Sequence, residues 1–370
     1  MNKKIKIGIL GTRGIPNKYG GFEQFAQYLS ESLVQNNFDV TVYNPHFHTK
    51  TKSIPKEIKI IYKWCPEKYF GAASHIIYDF LCLKDALKKD LDIVLELGYQ
   101  SSSLGLFFVK KGSSKIIFNM DGMEWKRKKW SYAIKAFTRW AEKIAVMKAD
   151  YLIADNDGIK KYIKDHYNKD SIMIPYGSTI FTNPKEDLIK KYNLIKKKYF
   201  LIISRIEPEN NIEMILDGYV KSKSLNKMII VGNYNNKYGK FLLNKYKNND
   251  KIFFLNGIYD MNIINNLRFF SKYYFHGHSV GGTNPSLLEA MACKVFIISH
   301  DNIFNQNVLG KDAYYFKTVE DVSNLLNNTK SLEEKRDIFI NNNINKINKI
   351  YNWGKINSSY INFFREIIKK

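Results

Sequence analysis

Cysteine is scarce in this chain. Cys65, Cys82 and Cys293 are the only three in 370 residues, and none stands in a CxxC pair or at a metal-ligand spacing. A sparse, odd count excludes a disulfide framework and fits a reducing compartment. Long apolar runs are also missing: no stretch approaches the ~18 uninterrupted apolar residues of a membrane span. Lysines precede the apolar stretch ending at Leu10, but Gly11-Thr-Arg-Gly14 breaks it too early for an export signal. We therefore expect a cytoplasmic protein, peripheral at the inner face of the membrane at most. Acidic residues are few, with 35 Asp and Glu against 58 Lys and Arg, a net charge of +23. Such a field favours anionic partners (nucleic acid, acidic lipid or phosphorylated substrates), although lysine-biased composition produces the same excess. General disorder is excluded by an apolar content of 45%.

What is present is a strand–helix alternation that runs twice. The length suits two domains, each with its own core. In the first half, strands are expected at 4–10, 39–43, 58–63, 92–97, 115–119, 151–154 and 171–175. Helices are expected at 73–88, 131–148 and 158–166, the last with Asp157 as its cap. Pro175-Tyr-Gly177 and Asn183-Pro184 read as a domain junction, followed by a lysine-rich helix to Lys191. The alternation restarts with strands at 199–204, 227–231, 252–255, 272–276, 295–298 and 313–316. Helices at 212–221, 237–247, 261–269, 286–292 and 320–327 separate them, and amphipathic helices at 331–351 and 353–370 close the chain. The fold class is thus α/β: two Rossmann-like domains whose parallel sheets face a cleft, with ligands beyond the carboxyl ends of the strands. We set the first domain at 1–182 and the second at 183–352, with helix 353–370 crossing back to the first.

The first loop excludes one large class. Its glycines, Gly11, Gly14, Gly20 and Gly21, do not make GxGxxG, and the second strand ends Tyr43-Asn44-Pro45 with no acid for a ribose. A nicotinamide enzyme lacks both of its markers here.

The later stretch His278-Ser-Val-Gly-Gly-Thr-Asn-Pro-Ser-Leu-Leu-Glu-Ala-Met-Ala-Cys293 is the most informative. A strand, a glycine turn and a helix start, with Asn284 or Ser286 as cap and Pro285 in the first turn, build an anion site. Gly281 and Gly282 allow a phosphate to approach the main chain, and Glu289 is placed to accept from sugar hydroxyls. Ser286-Leu-Leu-Glu289 equally fits a capping box.

Taken with Ser204-Arg-Ile-Glu-Pro-Glu-Asn210 and Pro175-Tyr-Gly177, this stretch resembles GT-B glycosyltransferases of family 4. Four further segments narrow the resemblance: Gly11-Thr-Arg-Gly-Ile-Pro16, Tyr19-Gly-Gly-Phe-Glu23, Asp121-Gly-Met-Glu-Trp-Lys-Arg127 with Lys129-Trp130, and His276-Gly-His-Ser-Val-Gly-Gly-Thr-Asn-Pro285. Together they are similar to a subgroup of predicted rhamnosyltransferases, including β-1,4 enzymes of capsule and surface polysaccharide synthesis. The likeness spans essentially the whole chain.

It implies a retaining, metal-independent hexosyl or rhamnosyl transfer with no cofactor, the nucleotide sugar being a substrate. The donor is expected mainly in the second domain and the saccharide acceptor mainly in the first. For dTDP-L-rhamnose, whose linkage is β, retention gives a β-rhamnoside. The acceptor is expected on a polyprenyl diphosphate, which gives the basic charge a use at an anionic membrane through Lys126–Lys129 and Lys110-Lys111, near Trp130, Phe107 and Phe108. A solvated basic face is the simpler account of the same lysines. No nucleic-acid module is found, so a basic nucleic-acid-binding protein is the remote alternative and a UDP-sugar hexosyltransferase the near one.

The expected roles follow. Arg205 meets the leaving diphosphate, unless it merely pairs with Glu207 or Glu209. Main-chain N–H groups of Gly282, Thr283 and Asn284 cradle the distal phosphate, with Gly281, Ser286 and His278 beside them, while Gly11 and Gly14 admit the opposite domain. Glu289 corresponds to the ribose-binding second glutamate of the family signature. The first glutamate is replaced by Gly281, with His278 as a substitute, and the usual lysine is replaced by Asn210. Asn256 is placed near the base. Glu23, Asp121, Glu124, Trp125 and Arg127 serve the acceptor, Asp121 orienting its hydroxyl or else capping a helix, and the departing phosphate takes the acceptor proton.

Overall fold

A computed structural model describes residues 4–18, 20–50 and 53–369; Tyr19 of the Tyr19–Glu23 segment and the terminal Lys370 lie outside them. The chain divides into two compact units. One comprises Met1–Trp125, Trp130–Tyr176 and Trp353–Lys370, the other Lys126–Lys129 and Gly177–Asn352.

The first unit is built on seven parallel strands: β1 (Lys6–Leu10), β2 (Asp39–Pro45), β3 (Lys59–Lys63), β4 (Ile93–Leu97), β5 (Lys115–Met120), β6 (Tyr151–Ala154) and β7 (Ile172–Met173). Their order is β3-β2-β1-β4-β5-β6-β7. The central strands β1 and β4 are almost wholly buried apolar runs, as parallel strands covered on both faces require. Helices α1 (Gly21–Gln35), α2 (Glu67–Phe70), α3 (Ser74–Lys88), α4 (Tyr132–Lys148) and α5 (Asp157–Tyr167) connect them. On α1, Phe25, Ala26, Leu29 and Leu33 form the buried stripe. α5 is capped by Asn156, whose side chain accepts from the Gly158 N–H at 2.9 Å, and Asp157 is already helical. Asn156 wins because it holds the extended backbone an N-cap needs.

The second unit has six parallel strands: β8 (Tyr199–Ile203), β9 (Lys227–Val231), β10 (Ile252–Leu255), β11 (Tyr273–His276), β12 (Ile297–His300) and β13 (Tyr314–Phe316). Their order is β10-β9-β8-β11-β12-β13. The helices are α6 (Asp187–Lys190), α7 (Ile212–Lys221), α8 (Lys237–Tyr246), α9 (Met261–Phe270), α10 (Pro285–Ala292), α11 (Ile303–Leu309), α12 (Val319–Asn327), α13 (Thr329–Glu334) and α14 (Arg336–Lys349). The helix expected over 331–351 is two pieces, broken at Lys335. The second starts where the Arg336 guanidinium reaches the Lys272 carbonyl at 2.9 Å and lies over the Tyr273 and Phe296 rings. α11 is an addition to the sequence reading.

The last helix, α15 (Trp353–Lys369), belongs to the first unit: Trp353 stacks on Tyr28 at 4.5 Å and Tyr360 packs on Phe25. No helix among the described residues is long and apolar enough to cross a membrane.

Each sheet reverses its winding once. The chain steps outward from β1 to β2 and β3, then crosses to β4; likewise from β8 to β9 and β10, then across to β11. Loops diverge at such switch points and leave a crevice beyond the strand ends. The loops at the first follow Leu10 and Leu97, and those at the second follow Ile203 and His276.

Candidate functional site

At the second switch point the two loops touch through a glycine. A Cβ on Gly277 would sit 2.0 Å from the Asn210 carbonyl oxygen, so the turn after β11 closes on the turn after β8 only because that side chain is absent. Ser279 fastens the contact, its N–H and hydroxyl both donating to the Glu209 carbonyl at 3.1 and 2.7 Å. Asn211 adds a bond to the Gly277 carbonyl. Adjacent strands thereby bring Arg205 near enough to His278 for its charge to act on that ring, and the turn 281–284 follows directly in the chain.

Arg205 is exposed and pairs with no carboxylate among the described residues. The acids that would have claimed it are taken: Glu207 by Lys129 and Glu209 by Arg127, each at 3.3 Å. Arg127, expected at the acceptor, is instead buried in this pair within the second unit. The same pairs engage two of the basic residues at 126–129.

His278 stacks on His276 with ring centres 4.5 Å apart. Burial, then the positive charges of Arg205 and Arg127, press the His278 pKa down to about 3. Burial likewise holds His276 well below the usual histidine range, and both its ring nitrogens lack a partner. Both rings are neutral near pH 7, so the local positive charge comes from arginine.

Asn284 caps α10, its side chain accepting from Ser286 N–H at 2.9 Å, with Pro285 at the first position. The capping box is absent. The partly exposed Gly281, Gly282 and Asn284 donate their N–H groups to no protein acceptor among the described residues. Gly281 has φ +134° and open space where a Cβ would stand. Behind the turn, Asn302 and Asn305 at the start of α11 both donate to the His278 carbonyl, at 3.0 and 2.9 Å. These two, missed in the sequence, fix the turn from below.

Glu289 has a partner the sequence did not disclose. Arg268, fully buried on α9, meets Glu289 Oε2 at 2.6 Å and also donates to Ser286 Oγ at 3.0 Å, which in turn contacts the Tyr274 hydroxyl at 2.9 Å. Burial works most strongly against the Arg268 charge, but Glu289 together with Tyr274 and Cys293 outweighs it and leaves the guanidinium pKa raised. The other oxygen, Oε1, accepts from no protein group among the described residues and belongs to a side chain 17% exposed. Asn256 stands apart, at the end of edge strand β10, with its own Oδ1 turned back to the Gly257 N–H.

The first switch point is built alike. Gly11 (φ +75°) has no room for a Cβ, which would fall 2.4 Å from the Leu97 carbonyl oxygen, and one on Gly14 (φ +99°) would strike Asn44 at 2.7 Å. Packing inside the unit accounts for both glycines. Buried Asn44 exchanges two hydrogen bonds with the Ile15 backbone, and buried Glu23 accepts from Arg13 N–H at 2.7 Å. Glu23 therefore shapes the loop. Asp121 follows β5, and its charge, with those of Asp155 and Glu23, adds to the burial that raises the Tyr176 pKa far above normal. Glu124 is buried, its N–H on the Tyr99 hydroxyl. Trp125 donates its indole N–H at 3.2 Å to Glu142, a buried carboxylate that also takes the hydroxyls of Tyr99, Tyr162 and Tyr167. Carboxylates thus gather at the first switch point, whereas at the second Glu207, Glu209 and Glu289 each have a cationic partner and Arg205 is left without a carboxylate one among the described residues.

Comparison with known proteins agrees with this fold. Residues 184–346 match the family "Glycosyl transferases group 1", and residues 4–179 match a family described as a domain of unknown function, DUF1972. None of the curated proteins matches the sequence. Among solved structures the chain is similar to a sucrose-phosphate synthase from Thermosynechococcus elongatus, with TM-score 0.77 and 13% identity over 99% of this chain and 100% of that one. It is similar to HepE of Anabaena in complex with UDP and glucose, with TM-score 0.75 and 14% identity over 98% and 100%. A glycosyltransferase from Rickettsia africae gives TM-score 0.73 and 15% identity over the whole of both chains. At these identities the likeness shows the fold, and it is the GT-B fold of glycosyltransferases.

Proposed function

From the premise that this chain has the GT-B glycosyltransferase fold, with a group 1 glycosyltransferase domain over residues 184–346, we propose that it is a retaining rhamnosyltransferase. Its donor is a nucleotide sugar, dTDP-L-rhamnose on the sequence resemblance, and its acceptor a saccharide on a polyprenyl diphosphate used for surface polysaccharide. The observation that carries the reading is the second switch point: next to His278 an exposed arginine with no carboxylate partner, and after His278 a turn in which the N–H groups of Gly281, Gly282 and Asn284 meet no protein acceptor, both among the described residues.

As the bond to the diphosphate breaks, negative charge gathers on the leaving oxygen. Arg205 meets it with a planar fork, and the N–H groups of 281–284 add fixed dipoles at the start of α10. His278, neutral, can exchange hydrogen bonds with sugar hydroxyls but cannot replace a carboxylate charge. Glu289 Oε1 is offered to a ribose hydroxyl while Oε2 is held by Arg268, which makes Arg268 a positioning residue. Asp121 orients the acceptor hydroxyl, and the departing phosphate takes its proton. The step needs no metal in this reading.

A panel of nucleotide sugars, scored by thermal shift and slow hydrolysis, tests this. We expect dTDP-L-rhamnose to give the largest shift. A UDP-hexose shifting the melt further would favour the hexosyltransferase alternative, and no shift with any nucleotide sugar would overturn the donor site.

A further inference from the structure

We propose that Glu142 is a positioning residue for glycosyl transfer: its buried carboxylate on α4 fixes the loop that carries Asp121 by holding Tyr99 and Trp125. The proposal rests on the acceptor role given to Asp121 above, and it adds the group that sets that loop in place. A carboxylate is seldom fully buried unless it is paired. Glu142 is 2% exposed, pairs with no lysine or arginine among the described residues, and takes four neutral donors instead. The donors divide by oxygen. Oε1 accepts from the Tyr162 and Tyr167 hydroxyls of α5 at 2.6 and 2.7 Å. Oε2 accepts from the Tyr99 hydroxyl at 3.1 Å and the Trp125 indole N–H at 3.2 Å. One oxygen serves a helix, and the other serves the two loops that leave β4 and β5.

The arrangement needs a charge. An ionised carboxylate only accepts, so it satisfies four donors at once, whereas an amide in its place would turn N–H groups toward two of them. Burial first, and then Glu142, raises the hydroxyl pKa of Tyr99, Tyr162 and Tyr167 above the usual tyrosine range, so all three stay donors.

Tyr99 passes the constraint on. It is fully buried, and its hydroxyl accepts from the Glu124 N–H at 3.3 Å. Its one proton is shared between Glu142 and the Gly122 carbonyl, the latter at 3.3 Å. Main-chain groups on both sides of Met123, just beyond Asp121, are thus pinned. Trp125 pins the far end of the loop. Arg139 lies over its ring at 5.0 Å and Tyr162 packs on it at 6.3 Å, so this indole is claimed by the unit itself as an anchor. A loop held in this way sets an acceptor hydroxyl against the donor carbon, where a misplacement of about 1 Å costs about 10²-fold in rate.

The test compares sugar transfer with donor hydrolysis in the full chain, using dTDP-L-rhamnose and, as acceptor, lipid-linked saccharide extracted from membranes of the cells the protein comes from. Hydrolysis by water draws on the donor site but on no oriented acceptor hydroxyl. Glu142→Gln and Tyr99→Phe should each lower kcat for transfer about 10²-fold, with hydrolysis and donor KM within about twofold of wild type. Tyr167→Phe removes a hydrogen bond to the other oxygen of the same carboxylate and should keep transfer within about twofold. Hydrogen exchange at 121–125 gives a readout independent of turnover: faster in Glu142→Gln and Tyr99→Phe, unchanged in Tyr167→Phe. Should Glu142→Gln not fold, Trp125→Phe, which removes the indole N–H, takes its place. Transfer and hydrolysis falling together, equal losses of transfer in Tyr167→Phe and Tyr99→Phe, or unchanged exchange at 121–125 would overturn the proposal. If wild type transfers no sugar to the extract, the acceptor reading of the proposed function fails, and the exchange pattern still decides whether Glu142 holds the loop.

Discussion

The two switch points share a plan and differ in charge. In each, a glycine with no space for a Cβ lets the loop after one central strand lie on the loop after its neighbour, Gly11 on Leu97 and Gly277 on Asn210. Around the first stand Glu23, Asp121 and Asp155; around the second, Arg127 and Arg268 are matched by Glu209 and Glu289, which leaves Arg205 as the guanidinium without a carboxylate partner among the described residues. Backbone architecture therefore repeats while side chains divide the labour. Carboxylates suit neutral sugar hydroxyls, and guanidinium groups suit a diphosphate.

The sharpest way to break this contrast is to remove the buried guanidinium. Arg268→Met leaves Glu289 facing an apolar wall and should cost about 3–5 kcal/mol, read as a lowered melting temperature. Glu289→Gln should then lose stability as well as activity, because it strands Arg268. Arg205→Ala is exposed and should melt like wild type while turnover falls about 10²–10³-fold. If Asp121→Asn in the first unit caused an equal fall in donor hydrolysis without acceptor, the division between the units would fail.

Smaller effects come from the glycines. Gly277→Ala forces backbone against backbone and should cost about 1–3 kcal/mol. Gly281→Ala meets no atom within 4 Å, so only its positive φ should count, about 1–2 kcal/mol in the same melt. Equal losses at the two would mean that the turn is packed differently.

The units should also answer pH in opposite senses. In the first, buried Asp79 has its carboxyl raised to about 7 by desolvation, and Glu96 beside it is likewise raised well above the usual carboxyl range by burial and by the Asp79 charge. Folded carboxyls that keep their protons give stability that is full below about 4 and lost as pH rises through 7. In the second, His276 and His278 are depressed, so their stability is full above about 6.5 and lost as pH falls toward 3. Hydrogen exchange resolved by unit, from pH 4 to 7, should show β4 gaining protection on acidification and β11 losing it. Asp79→Asn should weaken the first trend by removing one of the two raised carboxyls behind it.

Much of the fold was legible because parallel strands buried on both faces read as short apolar runs, such as Lys227–Val231, and the helices between them carry clear stripes. α11 escaped notice: its seven residues are rich in Asn and Gln, and only Phe304, Val308 and Leu309 mark its buried side. In the site, the glycine turn and Arg205 could be read because glycine and unpaired charge have local meaning. Arg268 could not, since an arginine between Leu267 and Phe269 in a helix reads as surface until tertiary packing buries it. Asn44 and Glu142 were hidden for the same reason: the Ile15 backbone that Asn44 holds is 29 residues away, and the donors to Glu142 are 17 or more away.

The central claim is that the later switch point holds the diphosphate of the donor. Deuterium exchange of the full chain with and without a nucleoside diphosphate addresses it directly. Slowed exchange at residues 205–211 and 278–287, lost in Arg205→Ala, is the predicted result. Slowing confined to residues 11–23, with the later loops unchanged, would contradict it.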